Sequence, residues 1–209
     1  MKNPLAQWDQ VATDHPGMRI SIASKASRRD TMKHPIATAL TLALFLTAVA
    51  LPVWAADMTV IMRKATQEGN GDPIGTITIS ASATGALFQL DLHGLPPGTH
   101  GFHIHENDSC GPTMMNGIRI PAGAAGNHFD PDSTGKHAGP LGEGHLGDLP
   151  LIDVPSNGIV KQTVTSPRVT AVEILRKRAL IIHLNGDNYA DLPLVLGGGG
   201  GRFACGVIE

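Results

Sequence analysis

Charge, cysteine and long apolar runs are all scarce in this sequence, and each scarcity excludes something. The longest apolar run, residues 36–51, is broken only by threonine and falls short of the roughly 20 residues a helix needs to cross a bilayer. No later run could serve as a span, which argues against a membrane-anchored protein. Arg28, Arg29 and Lys33 precede the run and Pro52-Val53-Trp54-Ala55 follows it, the order of parts in a cleaved export signal. Cleavage after Ala55 puts Val53 and Ala55 at the small-residue positions, whereas cleavage after Ala56 would put Trp54 at one of them. Residues 32–55 are therefore expected to be a removed signal peptide, and the product to be periplasmic or secreted. About thirty polar residues are too many for the head of such a signal, so Met32 is expected to be the true start and residues 1–31 an upstream extension. Residues 56–209 would form the working domain, without tryptophan, since Trp8 and Trp54 both precede the cut.

Positive charge is lacking as well. From Ala56 onward ten Lys and Arg face fifteen Asp and Glu, a net charge of −5, which argues against nucleic acid or an anionic membrane as a partner. The two cysteines, Cys110 and Cys205, both lie in this part, and an exported protein with two cysteines most often pairs them. Closing so long a loop would stabilise the fold by about 4 kcal/mol in the chain-entropy account.

No convincing long helix is present either. Short alternating stretches rich in β-formers recur at residues 58–64, 76–83, 86–92, 101–106, 149–154, 158–165, 179–184 and 204–208. Gly69-Asn70-Gly71-Asp72-Pro73 and Leu95-Pro96-Pro97-Gly98 are turn signals between them. Eight such strands predict an all-β, antiparallel sandwich or barrel. Two segments break the rhythm: residues 107–147, rich in Gly, Pro, Asp and His, and residues 185–201, which end in five glycines. Loops of this length are functional or disordered, and their histidines, cysteine and flanking arginine favour function.

Histidine is what the sequence has in place of these. In Phe102-His103-Ile104-His105 the two imidazoles stand two apart on an expected strand and so project from one face. They are either two ordinary partly exposed histidines or two ligands for one ion. His128, His137 and His145 follow at spacings of 9 and 8, with Asp148 three residues later. Three imidazoles and a carboxylate suit a closed tetrahedral zinc site, unless they are scattered loop residues. His183 ends an apolar strand, where a lone histidine is more often structural than chemical.

Taken together, the segments 101–106 (GFHIHE), 127–131 (NHFDP), 145–150 (HLGDLP), 186–188 (GDN) and 197–208 (GGGGGRFACGVI) resemble, in order, the signatures of copper–zinc superoxide dismutases. The likeness spans essentially residues 58–208. It implies an eight-stranded Greek-key β-barrel or sandwich of the immunoglobulin-like kind with two long functional loops. It also implies one copper per subunit on His103, His105, His128 and His183, and one zinc on His128, His137, His145 and Asp148, with His128 bridging. Asp187 matches a carboxylate that hydrogen-bonds one copper-side and one zinc-side imidazole. Arg202 matches the arginine beside the open copper position, and Cys110 and Cys205 match the family disulfide. The implied reaction turns superoxide into oxygen and hydrogen peroxide, with Arg202 and His128 as catalytic groups. The position of Cys110, five residues after His105, resembles the bacterial exported branch.

An exported copper-delivery module of the same fold without dismutase activity is the alternative, and a sandwich whose metals only staple its loops is a third. Oligomeric state is not legible in the sequence, with a homodimer among the arrangements left open. His93 and His100 match no ligand and are expected at the surface or at strand ends. Tyr189 receives no role, and residues 191–197 no assignment.

Overall fold

The computed structural model describes residues 56–209; the expected signal peptide and the extension before it lie outside the described residues. Met58, Val60 and Met62 are buried at every second position of the first strand, β1 (Met58–Ala65). The same period turns Ile77 and Ile79 of β2 (Asn70–Ser82) inward, along with Phe88, Leu90 and Leu92 of β3 (Gly85–Leu92). Turns at residues 66–69 and 82–85 join these strands; Thr66 and Gly69 exchange backbone hydrogen bonds, and Ser82 Oγ donates to the Gly85 carbonyl at 2.7 Å.

The remaining strands are β4 (Gly98–His100), β5 (Phe102–His105), β6 (Thr113–Met115), β7 (Ile118–Ile120), β8 (Ile152–Val154), β9 (Val160–Ser166), β10 (Arg178–His183) and β11 (Arg202–Ile208). One seven-stranded antiparallel sheet runs β5-β10-β11-β1-β2-β3-β9. All eight expected strands are present, seven of them in this sheet. The eighth, β8, pairs with β4, which leads through Gly101 into β5. Placing β11 beside β1 and β9 beside β3 requires the long crossovers of an antiparallel Greek key.

The first long loop also contains a hairpin, β6 with β7, that the strand count left out. Its turn is Asn116-Gly117, both at positive φ (51° and 79°), the mirror-image turn that two-residue hairpins favour. That dipeptide stands in the sequence and was the available signal. In the core, Phe88 and Phe102 meet edge to face with centroids 5.8 Å apart, among Ile77, Ile79, Ile104, Leu180 and Ile182.

Candidate metal centre

Strand parity builds the first half of the site. Phe102 and Ile104 of β5 enter the core, so His103 and His105 share the opposite face. Leu180 and Ile182 of β10 enter the same core, which puts Ala179, Ile181 and His183 on the histidine face. Antiparallel register sets Ile181 opposite His103 and Ala179 opposite His105.

The first long loop supplies the second half by acting as a further neighbour of β5. Phe129 N donates to Ile104 O at 2.8 Å, Ile104 N to Gly147 O at 2.9 Å, and Leu149 N to Phe102 O at 3.2 Å. These bonds satisfy backbone groups of β5 and place His128 opposite His105 and Asp148 opposite His103. A disulfide joins Cys110 to Cys205 of β11, with Cα atoms 5.7 Å apart, and so ties the loop to the main sheet. Arg168 fixes its far end by donating to His145 O at 2.9 Å and Gly144 O at 2.7 Å.

Two groups of ligand atoms result, each drawn together within 4.8 Å: His103, His105, His128 and His183, and then His103, His128, His137 and Asp148. All of these residues are buried. By this criterion the second group contains His103 in place of the expected His145. His145 lies beside that group, for three Nδ1 atoms converge on the Asp148 carboxylate: His128 at 2.9 Å, His137 at 3.1 Å and His145 at 3.3 Å. His103 is close to both groups because its ring lies 4.0 Å, centroid to centroid, from that of His128.

Each outlying ring is held through one nitrogen, leaving the other bare. His105 Nδ1 donates to Gly126 O at 2.9 Å, and His183 Nδ1 to Gly200 O at 3.2 Å. His103 Nε2 and His137 Nε2 donate to the two oxygens of Asp187, at 2.6 and 2.7 Å. Donation fixes the tautomer, so the second nitrogen of each ring carries a lone pair. Three of those atoms, His103 Nδ1, His105 Nε2 and His183 Nε2, are buried without a hydrogen-bond partner, and the fourth, His137 Nδ1, is buried 3.1 Å from Asp148 Oδ2. An unsatisfied buried polar atom costs about 1–3 kcal/mol, and a cation at the centre of each group would satisfy them together. The donor sets therefore fit two metal ions: imidazoles alone on one side, imidazoles with a carboxylate on the other.

Electrostatics favour neutral rings at His103, His105, His128 and His183 and anionic carboxylates beside them, with His137 the exception. Burial pushes His105 and His183 well below the usual histidine range, with the neighbouring rings and Arg202 adding to it. Burial also lowers His103, against its bond to Asp187, and brings His128 down to about 4. For His137 burial is outweighed by hydrogen bonds to Asp148 and Asp187, which raise it to about 9. Burial would raise Asp148 and Asp187, but their histidine partners hold both well below the ordinary carboxylate range.

Beside the first group opens a cleft of about 270 Å³, lined by His105, His128 and His183 on one wall and by Arg202 on another. Arg202 donates through Nη1 to Ala122 O and through Nη2 to Gly126 O, both at 2.5 Å. Gly126 O thus anchors His105 and Arg202 at once. Gly126 has φ +78°, and a Cβ there would lie 2.4 Å from Glu106 Oε1, so only glycine fits. Gly197 plays a comparable part: its φ is +71°, and a Cβ would stand 1.9 Å from Asp187 Oδ1.

Several supporting residues had no signal in spacing or composition. Tyr189 donates its backbone N–H to Asp187 Oδ1 at 2.7 Å, accepts from Leu151 N at its hydroxyl, and packs on Gly139. Asp191 Oδ2 accepts from His137 N at 3.0 Å. His93 is exposed and His100 ends β4, both within the expectation, but His100 is not at the surface. It is 2% exposed and lies between carbonyls, Nδ1 2.7 Å from His183 O and Nε2 2.8 Å from Pro96 O. Only the folding of β4 against the end of β10 brings it there.

Comparison with known proteins agrees with this arrangement. The family model described as copper/zinc superoxide dismutase (SODC) matches residues 74–208. The superoxide dismutase [Cu-Zn] of Brucella abortus is 47% identical over 161 residues, 77% of this chain and 93% of that protein. Among solved structures, the Cu/Zn superoxide dismutase from Brucella abortus superposes with a TM-score of 0.73 at 47% identity, covering 74% of this chain and all of that one (100%). The solution structure of the monomeric copper, zinc superoxide dismutase from Salmonella enterica gives a TM-score of 0.67 at 49% identity, with 74% and 100% covered. Fold, paired histidine groups and these likenesses lead to one conclusion: the chain belongs to the copper/zinc superoxide dismutase family.

Proposed function

We propose that this protein dismutates superoxide, converting two superoxide anions and two protons into oxygen and hydrogen peroxide. Three buried ring nitrogens without partners, on His103, His105 and His183, gathered in one group of ligand atoms next to a cleft that holds Arg202, are the observation that carries this reading. His103, His105, His128 and His183 would hold copper, and His128, His137, His145 and Asp148 zinc. His145 takes the fourth zinc position because its Nδ1 faces Asp148, while His103 Nδ1 belongs with the rings that share its strand face. Copper when bound supplies one-electron oxidation and reduction, and zinc supplies positive charge without redox chemistry.

The chain's own residues do the rest. Asp187 locks His103 and His137 in orientation and tautomer, with one carboxylate serving both metal sides. His128 belongs to both groups of ligand atoms, and its ring, once it has given up the N–H proton that a neutral imidazole keeps, would have a nitrogen lone pair for each side. Arg202, its guanidinium fixed by two carbonyls, offers the cleft a positive charge for an anionic substrate. A copper-delivery module would need neither a histidine common to both groups nor an arginine fixed at the cleft.

The disulfide supports export, since such bonds persist in oxidising compartments outside the cytoplasm. We therefore place the protein in the periplasm or medium after cleavage following Ala55, with neither nucleic acid nor membrane as a partner. Sedimentation decides between a monomer and a homodimer. The function is tested by metal analysis, electron paramagnetic resonance and a dismutation assay on the exported protein. Expected are one copper and one zinc per chain, a copper signal with one solvent-open position, and fast dismutation; a closed copper site or no dismutation overturns the reading.

A further inference from the structure

The loop between Asp191 and Gly197 carries a row of large apolar side chains facing water: Leu192 is 81% exposed, Leu194 61% and Val195 77%. Its inner end, Val195 and Leu196, lines the cleft that holds Arg202. Arg202 is the only cation among the described residues lining that cleft, which has no carboxylate. The loop's own carboxylates are engaged elsewhere: Asp187 holds His103 and His137, and Asp191 accepts from His137 N and from Leu196 N.

Leu196 is also strained. It sits at φ 52° and ψ 44°, a left-handed conformation that costs an ordinary residue roughly 1–2 kcal/mol and that Gly or Asn adopts more easily. A leucine kept in such a position, half exposed at the mouth of a cleft, points to a use for its side chain.

We propose that Val195 and Leu196 form an apolar lip that admits small, weakly hydrated monovalent anions to Arg202 and discriminates against strongly hydrated multivalent ones. On the Val195–Leu196 side an anion passing the lip meets apolar surface in place of water, while Asn127 and the histidines line the rest of the cleft. The cost of losing that water grows steeply with charge, because the solvation of an ion rises with the square of its charge. A single guanidinium can offset it for a singly charged anion but not for a doubly charged one. The inference rests on the dismutase reading, in which superoxide is such an anion.

The test uses the copper- and zinc-loaded protein with two probes. Azide binding is followed by its absorption with copper, and inorganic phosphate by its competition with azide. The unsubstituted protein should bind azide at least tenfold more tightly than phosphate. The Val195→Ser, Leu196→Asn double variant adds no charge and suits the left-handed position, and it should narrow that ratio at least fivefold. Val195→Ser alone, at a largely exposed position where folding is not at risk, should narrow it at least twofold. A ratio unchanged in both variants, while dismutation persists, overturns the lip and leaves the dismutase reading intact. Loaded protein that binds no azide and dismutates nothing overturns both.

Discussion

Replacing Asp187 separates the two metal sides in a way the geometry specifies. Its Oδ1 accepts two N–H groups, His137 Nε2 and Tyr189 N, both at 2.7 Å, while Oδ2 accepts one, His103 Nε2 at 2.6 Å. Asparagine has one acceptor oxygen and one amide donor. The orientation that keeps the two-bond position turns the amide toward His103, donor against donor, so His103 is the ring that loses its anchor. A hydrogen bond to a charged group contributes about 1.5–3 kcal/mol. At about 1.4 kcal/mol per decade that is roughly 10- to 150-fold in affinity, in line with the 10- to 100-fold typical of carboxylates that orient ligand histidines. Asp187→Asn should therefore weaken copper binding by about 10- to 100-fold and zinc binding by less than tenfold, whereas Asp187→Ala should weaken both by about 10- to 100-fold. Chelator competition, metal by metal, measures the affinities, and circular dichroism checks that the sheet persists. Unchanged affinity in the alanine variant, or a loss confined to zinc in the asparagine variant, would refute this account of the carboxylate.

Arg202→Glu should slow dismutation at low salt and flatten or reverse its salt dependence, because the substrate is an anion approaching a domain of net charge −5. Arg202→Lys should fall between, since charge survives but the two-carbonyl clamp on Ala122 and Gly126 is lost; an unchanged low-salt rate for Arg202→Glu with copper fully loaded would remove Arg202 from substrate capture. Reducing Cys110–Cys205 should loosen the loop that carries His128, speed metal release and cost about 4 kcal/mol of stability, as read by denaturant unfolding; identical unfolding curves with and without reductant would contradict this. For the metal-free protein, His128 titrates near 4 when folded and near 6.5 when unfolded. The unfolded chain then binds more protons between those values, so stability falls as pH drops from 6.5 toward 4. His137 works in the opposite window: raised to about 9, it stabilises fully below 6.5, and its contribution fades as pH rises through 9. The melting temperature of the metal-free protein should therefore peak near neutral pH and fall on both sides, and a melting temperature constant from pH 6.5 to 4.5 would sink the argument.

Eight of the eleven strands and the ligand chemistry were legible in the sequence. Alternation of period two fixes which residues of β1, β3, β5 and β10 enter the core, and by the same rule it fixes that His103 and His105 share a face. Ligand types are legible because imidazole and carboxylate recur in two long loops rich in Gly and Pro. Asn116-Gly117 was legible as a hairpin turn too, though set inside a loop with no apolar periodicity around it.

Other features exist only once the chain is folded, because they depend on contacts between residues far apart in sequence. Nothing local says that Asp187 divides its two oxygens between His103 and His137, 84 and 50 positions away. Nor does anything local say that Gly126 O serves both His105 and Arg202, or that His100 is buried against the carbonyl of His183. The apolar lip is the same kind of fact. Val195 and Leu196 look like core residues in the sequence, and tertiary structure turns them toward water at the cleft mouth, because the hydrogen bonds of Asp191 to His137 N and Leu196 N fix how the loop lies over the site.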